Sequence, residues 1–66
     1  MEIKESIVIS IEGQEFIFLN NQYGNWDYCP LSSYRMRVED YMDFLYNSLE
    51  EAEEQAKIHA NGTKGE

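Results

Sequence analysis

Apolar and polar residues alternate along the first half of this chain and recur at three- and four-residue intervals along the second. Over residues 3–12, Ile7, Ile9 and Ile11 fall on one side of an extended chain and Val8, Ser10 and Glu12 on the other, the period of two that a strand requires. Residues 14–20 repeat the pattern, with Phe16 and Phe18 on one side and Ile17 and Leu19 on the other. Between them, Glu12-Gly13-Gln14-Glu15 predicts a hairpin whose two-residue loop has Gly first, as a type II′ turn does. That register sets Glu12 opposite Glu15, Ile11 opposite Phe16 and Ile9 opposite Phe18, so the isoleucine and phenylalanine faces coincide. Gln22-Tyr23-Gly24 predicts a second turn with Gly24 in the left-handed position. It pairs Tyr28 with Phe18 and brings Trp26 to the same face of a third strand, 25–29, whereas an even loop would turn Trp26 to the other face. Pro30 ends that strand, because it has no N–H to give to a ladder. Residues 31–37 then alternate Tyr34 and Met36 with Arg35 and Arg37, as in a short edge strand or an extended loop.

From residue 38 the period changes. Val38, Tyr41, Met42, Leu45, Leu49, Ala52 and Ala56 form the stripe of one helix face. The reading is a helix over 38–60, kinked at Asn47-Ser48. A rival parse starts from Ser48-Leu49-Glu50-Glu51, a capping box. The helix then begins at Ser48, and residues 41–46 form a fourth short strand with Met42, Phe44 and Tyr46 on one face. Under both parses Lys57 and His59 lie in the last turn, where cations complement the helix dipole, and Gly62 is the stop.

Each element has one strongly apolar face, so sheet and helix must cover one another. The expected fold is α+β: a three-stranded antiparallel meander packed against one C-terminal acidic amphipathic helix, in the order β-β-β-α. Residues 1–60 form one domain and 61–66 a flexible tail. Val8, Ile17 and Leu19 complicate this arrangement, because one helix cannot cover both faces of a sheet.

Composition narrows the function. A chain of 66 residues sits near the size at which a core alone sustains folding. Cys29 is the single cysteine, so no internal disulfide can add stability, and with one histidine it falls short of a zinc set. A lone cysteine, no basic region followed by an apolar run at the N-terminus and no apolar run long enough for a membrane span lead to a cytoplasmic reading. Thirteen acids against five bases leave a net charge of −8. Such a domain is repelled by nucleic acid and anionic membranes and attracted to basic protein surfaces. Small β-β-β-α modules that bind DNA present basic residues on the sheet, and this sheet has almost none.

No phosphate loop, metal motif or nucleophile elbow is present. Cys29 and His59 lie on different elements with nothing to orient them as nucleophile and base. No cofactor, metal or catalytic residue is expected, and the chain reads as a non-enzyme. Aromatic residues make up 14% of the chain, more than so small a core needs, and tyrosine is a favoured interface anchor. Trp26 and Phe44 are expected in the core, with Tyr23, Tyr34 and Tyr41 at the surface. The leading expectation is a protein-binding module that occupies a basic, nucleic-acid-binding surface by charge mimicry, as acidic inhibitors of phage and mobile-element type do. Its contact residues would be Glu39, Asp40, Asp43, Glu50, Glu51, Glu53 and Glu54, with Tyr34 and Tyr41. The alternative is a small homo-oligomeric structural or accessory protein, a homodimer for example, whose acidic helix only confers solubility while a sheet edge or the helix stripe pairs with a copy of itself, the apolar residues on both sheet faces marking an interface.

Overall fold

The computed structural model describes residues 3–34 and 43–64. Strands β1 (Ile3–Ile11), β2 (Gln14–Asn21) and β3 (Trp26–Pro30) form an antiparallel meander in that order, and one helix, α1 (Leu49–Lys64), packs on it. This is the expected β-β-β-α arrangement.

The first turn differs from the expected one. Its central residues are Glu12 and Gly13, with φ of 53° and 79°, which makes a type I′ turn. Ile11 therefore pairs with Gln14, Ile9 with Phe16 and Ile7 with Phe18. The offset from the expected register is two residues, so every side chain keeps its face. Strand length favours the observed pairing. The expected register would have run residues 3–5 past the end of β2, whereas here Glu5 meets Asn20 and Ile3 meets Asn21. A bulge between Ile3 and Glu5 turns Ile3 onto the Leu19 side, where it packs.

The second turn is as expected. Gly24 has φ of 88°, and the Asn21 N–H donates to the Asn25 carbonyl at 2.9 Å, enclosing Gln22-Tyr23-Gly24. The Asn21 side-chain oxygen accepts from the backbone N–H groups of Tyr23 and Asn25. Phe18 pairs with Tyr28 and Asn20 with Trp26.

One sheet face carries Phe16, Phe18 and Trp26, buried against Ala52, Ala56 and Ala60, with Ile9, Ile11, Tyr28, Tyr46 and Leu49 around them. Alanine at every fourth position leaves no side chain to hold the helix off, so the aromatic rings supply the volume. Phe16 and Tyr28 meet edge to face, with ring centroids 5.7 Å apart.

Around Ile17 and Leu19 the opposite face is covered by the chain itself, while Val8 on the same face is 48% exposed. A turn of 3-10 helix, Leu31–Ser33, follows β3 directly, and Leu31, Cys29 and Ile3 pack against buried Ile17, Leu19 and Phe44. Of Val8, Ile17 and Leu19, expected to lie beyond the helix's cover, Ile17 and Leu19 are buried because Phe44 reaches back over them, and Val8 stays exposed.

The long-helix parse is also corrected. Residues 43–48 are not helical, and α1 begins at Leu49, as the capping box signals. Phe44 has φ of 52°, which no helix accommodates. It packs on the face away from α1 while Tyr46 packs toward it, so neither a helical stripe nor a fourth strand with Phe44 and Tyr46 on one face exists. What survives of the fourth strand is a single bridge, Tyr46 to Trp26, with N···O distances of 2.7 and 3.2 Å. Leu45, expected in the stripe, is exposed. The helix passes Gly62 and runs to Lys64, so Lys57 and His59 do not lie in its last turn and residues 61–64 are helical. One glycine costs a helix only about 1 kcal/mol, and buried Ala60 holds the turn before it. The expected 38–42 part of the helix, and Arg35 with Arg37, lie outside the described residues.

Candidate functional site

The acidic surface is built on the start of α1. The Ser48 hydroxyl accepts from the Glu51 N–H at 3.2 Å, and the Glu51 carboxylate reaches back to accept from the Asn47 N–H at 3.0 Å. Two N–H groups at the helix start are thus satisfied, and Glu50 and Glu51 place negative charge where the helix dipole is positive. Part of this acid therefore has structural work.

Because Ala52, Ala56 and Ala60 face the sheet, the outer face is set by helical geometry. Glu50, Glu51 and Glu54 are exposed and Glu53 is half-buried. At about 1.5 Å of rise per residue, four carboxylates over residues 50–54 give roughly one charge per 2 Å, close to the ~1.7 Å spacing of duplex DNA. The row Glu50, Glu54, Ile58 follows the four-residue period and ends on an isoleucine that is 59% exposed. Ahead of the helix, Asp43 is exposed and Leu45 is 70% exposed. These two apolar groups beside the acids were not singled out from sequence. Leu45 falls in the expected helix stripe, and Ile58 lies within the expected helix but outside that stripe.

Asp27 positions the approach to this surface, and it too was missed. One carboxylate oxygen accepts from the Tyr28 N–H at 2.8 Å. The other accepts from the N–H groups of Asp43 and Phe44 at 3.0 and 3.1 Å. The signal was a lone acid inside an aromatic strand, where aspartate is disfavoured unless its carboxylate has donors to meet.

Among the remaining expected contact residues, Tyr34 is exposed beyond the 3-10 turn, away from α1 in sequence. Tyr23 is exposed at the second turn, and Trp26 and Phe44 are buried as expected. Glu39, Asp40 and Tyr41 lie outside the described residues. The structure thus gathers Glu50, Glu51, Glu53 and Glu54 on one element.

Cys29 and His59 are separated by the sheet. Cys29 packs with Ile17 and Phe44, whereas the His59 ring stands edge-on to Phe16 and Tyr28, 5.9 and 6.2 Å away, on the helix side. Burial, and then the Asp27 charge, push the Cys29 thiol above its ordinary range, so it stays protonated near neutrality. Tyr28 is raised by burial and by its neighbours Tyr46 and Asp27; its hydroxyl donates to the Gln55 carbonyl at 3.3 Å. A shallow depression beside the first turn is lined by Ser10, Gly13, Gln14, Glu15, Leu31 and Ser32, and its titratable group is Glu15. Among the described residues, no helix is long and apolar enough to cross a membrane. No protein-family model matches this chain, and no curated protein or solved structure resembles it significantly.

Proposed function

We propose that the protein is a non-enzymatic binding module that occupies a basic, nucleic-acid-binding surface of another protein through the outer face of α1. The observation that carries the reading is the gathering of Glu50, Glu51, Glu53 and Glu54 on the sides of α1 turned from the sheet, three of them exposed, with Glu50 and Glu54 in line with exposed Ile58. The charges attract and orient a basic partner. Ile58 and Leu45 supply the apolar contact that charge alone lacks. The capping box supports the role by holding the first turn of the row in place before any partner arrives, which lowers the ordering cost of binding.

The test is capture of proteins from a bacterial lysate on the tagged domain, at low and high salt, with duplex DNA as competitor. Basic nucleic-acid-binding proteins should be retained at low salt and released by DNA. Replacing Glu50, Glu51, Glu53 and Glu54 together by glutamine should abolish retention. Glutamine also serves in a capping box, so the helix start is preserved and the loss reports charge. Retention unchanged by the four substitutions, or indifferent to DNA, would overturn the proposal.

A further inference from the structure

The two edges of the sheet are finished differently. The Asn21 N–H bonds to the Asn25 carbonyl. By alternation, Leu19, Ile17 and Glu15 also point their main-chain groups at β3, while Phe18 and Phe16 point theirs at β1. On β3 the outward positions are therefore Trp26, Tyr28 and Pro30, and all three are dealt with. Trp26 is bridged to Tyr46, the Tyr28 N–H is taken by the Asp27 carboxylate, and Pro30 has no N–H. On β1 the outward positions are Ser6, Val8 and Ser10, and among the described residues no strand pairs with that edge. It has neither proline nor charge between Ser6 and Ser10, the usual means of blunting an edge. Its apolar side chains are also bare: Ile7 is 38% exposed and Val8 48%.

We infer that β1 pairs antiparallel with β1 of a second copy of this chain, about a two-fold axis through Val8. The pattern is self-complementary in that register. Val8 meets Val8 of the other copy, Ser6 meets Ser10, and Ile7 meets Ile9 on the helix side. Three pairs of outward residues exchange about six main-chain hydrogen bonds. The contact is isologous, the segment 6–10 serving both copies alike. The choice of a second copy over a basic partner rests on charge. β1 carries one lysine and one glutamate and is neutral in a chain of net charge −8, whose acids gather on α1. The product is a continuous six-stranded sheet with both helices on one face. The inference does not depend on what the acidic face of α1 binds.

Sedimentation equilibrium from micromolar to millimolar protein should show twice the monomer mass. Val8→Pro removes an N–H that β2 does not use, so this variant should sediment as a folded monomer, with helical circular dichroism retained. If Val8→Pro unfolds, the unmodified protein still decides. A sample mixing labelled and unlabelled chains should show an intermolecular contact between the Ile7 and Ile9 α-protons. A wild-type monomer at all concentrations, a folded Val8→Pro variant that still dimerises, or the absence of that contact would overturn the inference.

Discussion

Removing the Asp27 carboxylate tests how the second face of the sheet is closed. In Asp27→Ala the N–H groups of Asp43 and Phe44 lose their acceptor, at 3.0 and 3.1 Å, across 16 and 17 residues of chain. Hydrogen bonds to a charged group contribute about 1.5–3 kcal/mol each. Both lie near the surface, so the low end applies, and the expected loss is about 2–3 kcal/mol. A 66-residue domain has a total of roughly 3–10 kcal/mol. The substitution should therefore remove a large part of the stability and lower Tm by about 10–20 °C. Asp27→Asn keeps one neutral acceptor oxygen and should fall about midway. Denaturation followed by Trp26 fluorescence and by helical circular dichroism would measure both variants. The latch acts by delivering Phe44, whose left-handed backbone it holds in place, onto Ile17 and Leu19. Combining Asp27→Ala with Phe44→Leu should accordingly cost less than the sum of the single losses, by at least ~0.5 kcal/mol. An Asp27→Ala protein within about 0.5 kcal/mol of wild type, or strict additivity with Phe44→Leu, would refute the reasoning.

Three further outcomes are expected. Ala56→Leu forces a larger side chain into the fully buried contact between helix and sheet, and should destabilise the domain by about 1–3 kcal/mol in urea titration. Ser48→Ala removes the acceptor for the Glu51 N–H, and should cost about 1 kcal/mol with a visible loss of helical signal near Tm. Alkaline pH should destabilise the fold. The Cys29 and Tyr28 values are raised above their ordinary 9.0 and 10.0 in the folded chain, so the unfolded chain ionises first and gains as pH rises. Stability is complete below about pH 9 and declines as pH climbs through the raised folded values, which Tm measured from pH 7 upward will show. Cys29→Ala should shallow the first part of the decline, and a Tm flat beyond pH 10 would contradict the shifts.

Much of this molecule is legible in its residue order. Period-two alternation fixes which side of each strand is apolar, and that assignment survives an error in the first turn because the register moved by two residues. The second turn follows from Gly24, since a three-residue loop needs one left-handed position. The helix start follows from Ser48 and Glu51, two side chains that satisfy nearby N–H groups without help from the rest of the chain. The acidic face of α1 follows from the buried alanines opposite it. All of these signals are local, so the sequence alone carries them.

What the tertiary structure decided lies in competition between such signals. The stripe through Leu45 and Leu49 is a real helical pattern, yet it breaks because Phe44 is better buried over Ile17 and Leu19, and Asp27 meets the N–H groups this exposes. Nothing local to Asp27 reveals that donors 16 residues away will converge on it. The same long-range event turns Leu45 outward beside the acids and seals the β3 edge through Tyr46. The outer edge of β1 is left as the one without a partner strand among the described residues. Side-chain periodicity tells an amino acid which way to face. Which of two faces receives a distant segment depends on the summed burial and hydrogen bonding of groups that meet only once the chain has folded.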